Sequence, residues 1–174
     1  MKYAAHKKAS TGKSIPAVRE TAIEYLKKVP PTALRAHLKA GKIVGQIVAQ
    51  KLPSSEIIDA VQHGLGIGEM EDLRSMLDLP IEGLASKLGI SKATLHRRKA
   101  AGRLDPAESD RLVRFARLMG KAIEVMESKE NARKWLNSPQ VGLGGAVPLD
   151  YAETEVGARE VEDLLGRIEY GVYS

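Results

Sequence analysis

The stretch IEGLASKLGISKATLHRRKAAG, residues 81–102, decides how this chain is read. Ile81 to Leu88 reads as a short helix and Gly89 as a turn. Lys92 to Ala101 reads as a second helix, capped by Ser91 and closed by Gly102. Ala85 is small where the second helix must cross closely. Gly89 follows four positions later, Ile90 plugs beneath the turn, and Leu95 anchors the second helix. Leu84 and Leu88 supply the core face of the first. These constraints together match a helix-turn-helix, whose second helix lies in the major groove of DNA.

The residues that the second helix exposes bear on that reading. Ser91, Lys92, Thr94, His96, Arg97 and Lys99 lie off the Leu95 side or along its flanks. Lys92 and Arg97 can donate to guanine O6 and N7, Thr94 can meet a thymine methyl or a phosphate, and His96 can donate or accept. Lys99 and Arg103, nearer the end, suit phosphate. Arg98 stands where many helix-turn-helix sequences carry an apolar residue. Its stem is expected to pack while its head snorkels outward, so it is left out of the base-reading set. One such motif reads few base pairs, and operators usually offer two half-sites about 34–36 Å apart, so a homodimer on promoter DNA is expected.

Working upstream, Met1 to Ser14 reads as a loose tail. A helix then carries Ala17, Ala22, Ile23, Leu26 and Val29 and ends at Pro30–Pro31. Ile43, Val44, Ile47 and Val48 recur at helical spacing, but Gly41, Gly45 and the β-branched run leave a short strand open. After Pro53, Ser54 or Ser55 can cap a helix holding Ile57, Ile58 and Val61, with Gly64 as its stop. Leu73, Met76 and Leu77 mark another, ending before Pro80.

Downstream, Asp105-Pro106-Ala107-Glu108 combines an acidic cap, proline at the first helical position and a glutamate that closes a capping box. Such a cap stabilises by about 1 kcal/mol. The helix it opens carries Leu112, Val113, Phe115, Ala116, Leu118, Met119 and Ile123, reaching towards Glu127. Ser128 can cap a helix ending at Trp135–Leu136. A glycine-rich loop spans 137–147, and Pro148 starts a brief turn. Thr154 opens a last helix with Ala158, Val161, Leu164, Leu165 and Ile168 on one face, stopped by Gly171. The expected fold is all-α. Residues 1–69 form an N-terminal helical region assigned to dimerisation, 70–127 the helix-turn-helix DNA-binding domain, and 128–174 a small C-terminal helical domain.

Composition and charge narrow the function classes. The chain has 174 residues, of which 43% are apolar, 28% charged and 4% aromatic, so its core rests on Leu, Ile, Val and Ala. It has no cysteine, which excludes disulfides, cysteine–zinc sites and a thiol nucleophile. No apolar run nears the roughly 20 residues that cross a bilayer, and no signal-peptide core opens the chain, so a cytoplasmic protein without a membrane partner is expected. The net charge of +5 is uneven. Residues 1–51 hold 11 Lys and Arg against 2 Glu, and residues 73–119 hold 10 against 5 acids. Residues 120–174 reverse this, with 6 bases against 10 acids. Basic surfaces of this kind favour polyanions.

Enzyme signatures fail on spacing. Thr11-Gly12-Lys13-Ser14 resembles the end of a phosphate loop, but its required first glycine is Lys7. Gly64-Leu65-Gly66-Ile67-Gly68 follows a helix and lacks dinucleotide spacing. His6, His37, His63 and His96 sit on separate segments, and Glu24 and Glu56 have no paired carboxylate. No catalytic residue, metal, cofactor or small-molecule substrate is expected.

The C-terminal part carries a family resemblance. Trp135-Leu136-Asn137-Ser138-Pro139, Gly142-Leu143-Gly144-Gly145, Pro148-Leu149-Asp150, Thr154 to Val161 and Leu164-Leu165-Gly166-Arg167-Ile168 follow in order. They resemble the end of the Xre/MbcA/ParS antitoxins, and Ser91 to Arg98 resembles that family's recognition helix. The resemblance spans about residues 70–174. It implies an antitoxin of a type II toxin–antitoxin pair, whose usual partner is a RES-domain toxin that degrades NAD+. It implies that the C-terminal domain binds and obstructs the toxin, while the helix-turn-helix represses the operon's promoter. On that footing Trp135, Leu143, Gly144, Arg167, Tyr170, Val172, Tyr173 and Ser174 are the candidate toxin contacts. Trp135 reads first as ordinary core packing and second as a direct contact. An acidic C-terminal part would suit a toxin pocket built for an anionic dinucleotide. Two other readings stay open: a stand-alone DNA-binding regulator whose C-terminal domain binds a ligand or protein, and a helical adaptor that binds no DNA.

Overall fold

A computed structural model describes residues 43–172. The expected tail, the helix over 17–29, the phosphate-loop-like segment, His6, His37, Tyr173 and Ser174 lie outside the described residues, as does most of the assigned dimerisation region. Among the described residues nine α-helices follow in order: α1 Ile43–Val48, α2 Ser54–His63, α3 Ile67–Leu77, α4 Ile81–Lys87, α5 Lys92–Ala101, α6 Pro106–Met126, α7 Lys129–Leu136, α8 Pro148–Tyr151 and α9 Glu155–Glu169. A 3-10 turn, Val141–Leu143, precedes α8. The described residues hold no strand, only an isolated bridge between Gly66 and Arg103. The all-α expectation holds.

The long α6 is the axis of the molecule. It begins where the capping box was expected. The Asp105 side chain accepts from the Glu108 amide at 2.7 Å, and Glu108 Oε2 accepts from the Asp105 amide at 2.9 Å. α6 packs against α1, α2, α3, α7 and α9. Phe115, Ala116, Leu118, Met119 and Ala122 on it are fully buried. They join one continuous core that runs from Ile43 through Leu84, Leu95 and Leu136 to Leu165. The helix-turn-helix and the C-terminal helices therefore share a single apolar interior.

Near the start, one open alternative is settled and one expectation is revised. The run Ile43–Val48 is helical, because Ile43, Val44 and Ile47 bury one face while the buried carboxylate of Glu69 accepts the Ile43 and Val44 amides at 3.1 and 2.7 Å. Neither Ser54 nor Ser55 caps α2. Ser54 is already its first residue, and Pro53 occupies the cap position without a side-chain bond. The remaining caps fall as read: Ser91, Ser128 and Thr154 each accept from the amide three residues on, and Gly64 and Gly102 close α2 and α5.

One close approach shapes the C-terminal end. A Cβ on Gly157 would stand 1.8 Å from the Tyr151 carbonyl oxygen, so only glycine lets α8 abut the first turn of α9.

Candidate functional site

The helix-turn-helix is built from α4 and α5. Leu84, Leu88, Ala85, Ile90 and Leu95 are buried, as their spacing required. Gly89 has a φ of +68°, a left-handed turn that favours glycine. Arg111 of α6 braces the turn by donating from Nη1 to the Leu88 carbonyl at 2.7 Å. At the far end, the Leu104 amide donates to Leu65 at 2.8 Å and the Ile67 amide to Gly102 at 3.0 Å. Both ends of α5 are thus pinned by backbone or cap.

Leu95 is the only fully buried residue of α5. Lys92, His96, Arg97 and Lys99 are exposed, as is Arg103 beyond the helix, while Thr94 is half-buried. Helical periodicity places Ala93, Arg97 and Ala100 opposite Leu95, so small residues flank the arginine and allow close approach to a groove. Ser91 Oγ donates to Thr94 Oγ1 at 3.0 Å, and Arg97 Nη2 donates to the same oxygen at 3.1 Å. This chain orders Arg97 before any ligand arrives.

The electrostatic contrast is sharper than charge counting shows. Arg74, Lys87, Arg98, Arg114, Lys121, Arg133, Lys134 and Arg159 all have carboxylate partners. Lys92, Arg97, Lys99 and Arg103 have none among the described residues. The other unmatched cations among the described residues, Lys51, Arg111, Arg117, Lys129 and Arg167, are spread over four segments. Among the described residues, uncompensated positive charge is therefore concentrated on and just after α5, the arrangement that attracts phosphate and releases counterions.

Arg98 departs from its expected placement. Its head does not snorkel outward but turns to α6, with Nη2 2.6 Å from Asp105 Oδ2 and Nε 2.7 Å from Glu108 Oε2. The Glu108 carboxylate holds the guanidinium pKa above its ordinary value.

The C-terminal acids are less free than their number suggests. Lys87 of α4 pairs with Asp150 and lies 3.5 Å from Glu153, and Arg114 lies 3.1 Å from Glu155. Lys121 pairs with Glu169 at 2.7 Å, which with Glu124 raises the lysine pKa. Much of the negative charge thus fastens the α8–α9 corner to the helix-turn-helix and α6. Glu160, Glu162 and Asp163 of α9 have no cation within ion-pair distance among the described residues. Burial first, and then Glu155, pushes the Glu162 carboxyl up.

The expected partner contacts fall into two groups. Leu143 is buried, and Trp135 packs half-buried against the core. Gly144 is exposed and closes the 3-10 turn. At the end of α9, Arg167 is half-exposed, and Tyr170 and Val172 are 79% and 54% exposed. Sequence reasoning passed over Val141 and Val156, which are 96% and 73% exposed. Val156, Glu160, Asp163, Arg167 and Tyr170 recur at spacings of four and three and form the outward row of α9, opposite its Val161–Leu165 core face. An apolar residue at a position that periodicity sends to solvent was the available signal for Val156.

Among the described residues, no group of three His, Asp or Glu could hold a metal ion, and no helix is long and apolar enough to cross a membrane. Gly64 to Gly66 form the α2–α3 junction, and Ile67 and Gly68 open α3.

Comparison with known proteins gives two family matches. Residues 56–117 match the antitoxin Xre-like helix-turn-helix domain, and residues 121–171 match the antitoxin Xre/MbcA/ParS C-terminal toxin-binding domain. Among relatives, "Antitoxin Xre" of Yersinia enterocolitica is 35% identical over 128 residues, 71% of this chain and 86% of that one. "Antitoxin Xre" of Photorhabdus laumondii is 32% identical over 146 residues, 83% of this chain and 86% of its own. A "Prs ADP-ribosylating antitoxin" of a Sphingobium species is 22% identical over 158 residues, 85% and 92% of the two chains.

Proposed function

The chain belongs to the Xre/MbcA/ParS family of antitoxins, with a helix-turn-helix and a toxin-binding domain, and on that premise we propose that it neutralises a RES-domain, NAD+-degrading toxin while repressing its own operon. The observation that carries this reading is the separation of chemistries in one body. Among the described residues, unmatched cations gather on α5, whereas α9 turns a mixed apolar and acidic row outward.

Promoter DNA meets Lys92, Thr94, His96 and Arg97 along the groove-facing side of α5. Lys99 and Arg103 take phosphates, and Ser91 orders the first turn as its cap. A homodimer, formed through the N-terminal region 1–69, presents two copies of α5 to two half-sites. Residues 70–127 grip DNA and residues 128–174 grip the toxin. Toxin contact falls on the end of α9, at Arg167, Tyr170 and Val172, continuing into Tyr173 and Ser174. Trp135, Leu143 and Gly144 shape the loop beside it. Exposed aromatic and arginine side chains are the usual anchors of protein interfaces. The Sphingobium relative's name points to ADP-ribosylation, a reaction that also consumes NAD+.

The test is co-purification with the product of the adjacent gene, followed by NAD+ consumption with and without this chain. Loss of NAD+ consumption on adding the chain supports the reading. Products separate hydrolysis to free ADP-ribose from transfer to a protein. A chain truncated before residue 129 that still silences the toxin rejects the proposed site. A stand-alone regulator would bind promoter DNA with no effect on any neighbouring gene product.

A further inference from the structure

The recognition helix is held in place with little apolar help. Leu95 alone of its ten residues is fully buried. Its ends are fixed, by the Ser91 cap and by the Leu65–Leu104 backbone bonds. Its roll about its own axis needs a further restraint, because one leucine is a pivot and not a lock. Roll matters for a helix that reads bases, since it decides which side chains meet the groove floor.

Arg98 supplies that restraint. It lies three residues after Leu95, on the flank that meets α6. Its fork spans both carboxylates of the α6 capping box, at 2.6 Å to Asp105 Oδ2 and 2.7 Å to Glu108 Oε2. Those carboxylates are themselves fixed. Asp105 Oδ1 accepts the Glu108 amide, and Glu108 Oε2 accepts the Asp105 amide. The Glu108 side chain is only 8% exposed. A planar guanidinium that donates from Nη2 to Asp105 and lies in ion-pair contact with the immobilised Glu108 carboxylate through Nε, which itself makes no hydrogen bond, is narrowly restricted in orientation, and a lysine's point charge does not reproduce that restriction.

We propose that Arg98 is a positioning residue for operator reading: through Asp105 and Glu108 it sets the roll of α5 and does not itself touch DNA. This rests on the promoter-binding reading above. It goes beyond that reading by making sequence discrimination depend on an ion-pair cluster at the start of α6. A base-reading arginine and a positioning arginine thus stand next to each other, Arg97 and Arg98, with opposite duties.

The test uses the full chain and two duplexes, its own promoter region and a shuffled sequence of equal length. Arg98→Met and Arg98→Lys are measured over a range of salt. Arg98→Met should lose roughly tenfold on the promoter duplex, comparable to one mismatched base pair, with much less change on the shuffled one. Arg98→Lys should recover only part. The slope of log affinity against log salt should be unchanged. A slope shallower by about 0.9, with equal losses on both duplexes, would make Arg98 a phosphate contact and overturn the proposal. Unchanged promoter affinity would overturn it too.

Amide hydrogen exchange of the DNA-free chain gives an independent readout. Arg98→Met should expose residues 92–101 to faster exchange and leave those of α9 unchanged. If the wild-type chain fails to prefer its promoter, the function reading falls, and exchange still decides the clamp. Unaltered α5 exchange would remove it.

Discussion

The helices α5 and α9, of 10 and 15 residues, solve opposite problems. α5 buries one leucine, leaves its outward cations unmatched, and is held at its ends and by one arginine fork. α9 buries Ala158, Val161, Leu164 and Leu165, and its first and last turns are tied by ion pairs to α6. A helix that enters a groove must stand proud of its domain, so apolar anchorage is surrendered for reach. A helix that offers a flat row to a folded partner can lie on the core. The difference explains why charge is informative for α5 and misleading for α9. Free cations on α5 mean attraction to phosphate, whereas many acids around α9 are already engaged with Lys87, Arg114 and Lys121.

That comparison can be broken in several places. The largest effect is expected at Gly157. Gly157→Val puts a side chain against the Tyr151 carbonyl, and overpacking of backbone costs roughly 3 kcal/mol or more. Because both halves share one core, thermal unfolding should remain a single transition, lowered by on the order of 10 °C. Two separated transitions would mean that α9 folds apart from the helix-turn-helix.

Arg97→Ala comes next. It should weaken promoter binding by roughly 1–3 kcal/mol and relax base preference, with toxin inhibition intact. Equal loss on random DNA would demote Arg97 to a phosphate contact, and loss of inhibition would contradict the split between the two helices. Tyr170→Ala should do the converse. It should weaken toxin binding by roughly 1–2 kcal/mol in titration calorimetry and leave the gel shift on promoter DNA as it was. An unaffected toxin affinity would move the contact away from the end of α9.

The smallest effect is electrostatic. Burial, with Glu155 and Asp163 nearby and Arg117 and Arg159 opposing them, raises the Glu162 carboxyl. A raised folded pKa means the ionised form destabilises the fold. That cost is absent below the ordinary carboxylate range and appears as pH rises through the folded value. Glu162→Gln should therefore melt slightly higher than wild type at neutral pH, and the gap should close in acid. A variant less stable at neutral pH would reverse the sign.

Local chemistry was legible in the sequence. The Ser91, Ser128 and Thr154 caps, the Asp105–Glu108 box and the Gly64 and Gly102 stops each depend on a few neighbouring residues. The buried set Leu84, Ala85, Leu88, Ile90 and Leu95 follows from helical period alone. What the sequence hid is long-range. Glu69 holds amides 25 and 26 residues away, and without that contact in view the helical spacing of Ile43–Val48 left a strand open. Arg98 finds carboxylates seven and ten residues on, across a turn whose geometry spacing does not reveal. Lys87 meets Asp150 only after the chain has folded back. Tyr170 and Val172 enter as proposed partner contacts only through family resemblance, since an exposed apolar tail has no periodicity to read.

The most direct test of the whole account is NAD+ turnover by the purified product of the neighbouring toxin gene, titrated with the full chain. The account predicts that turnover falls to zero as the two proteins reach a fixed ratio, and that Arg97→Ala inhibits as well as wild type. Undiminished turnover in excess of a chain that still binds its promoter would contradict it.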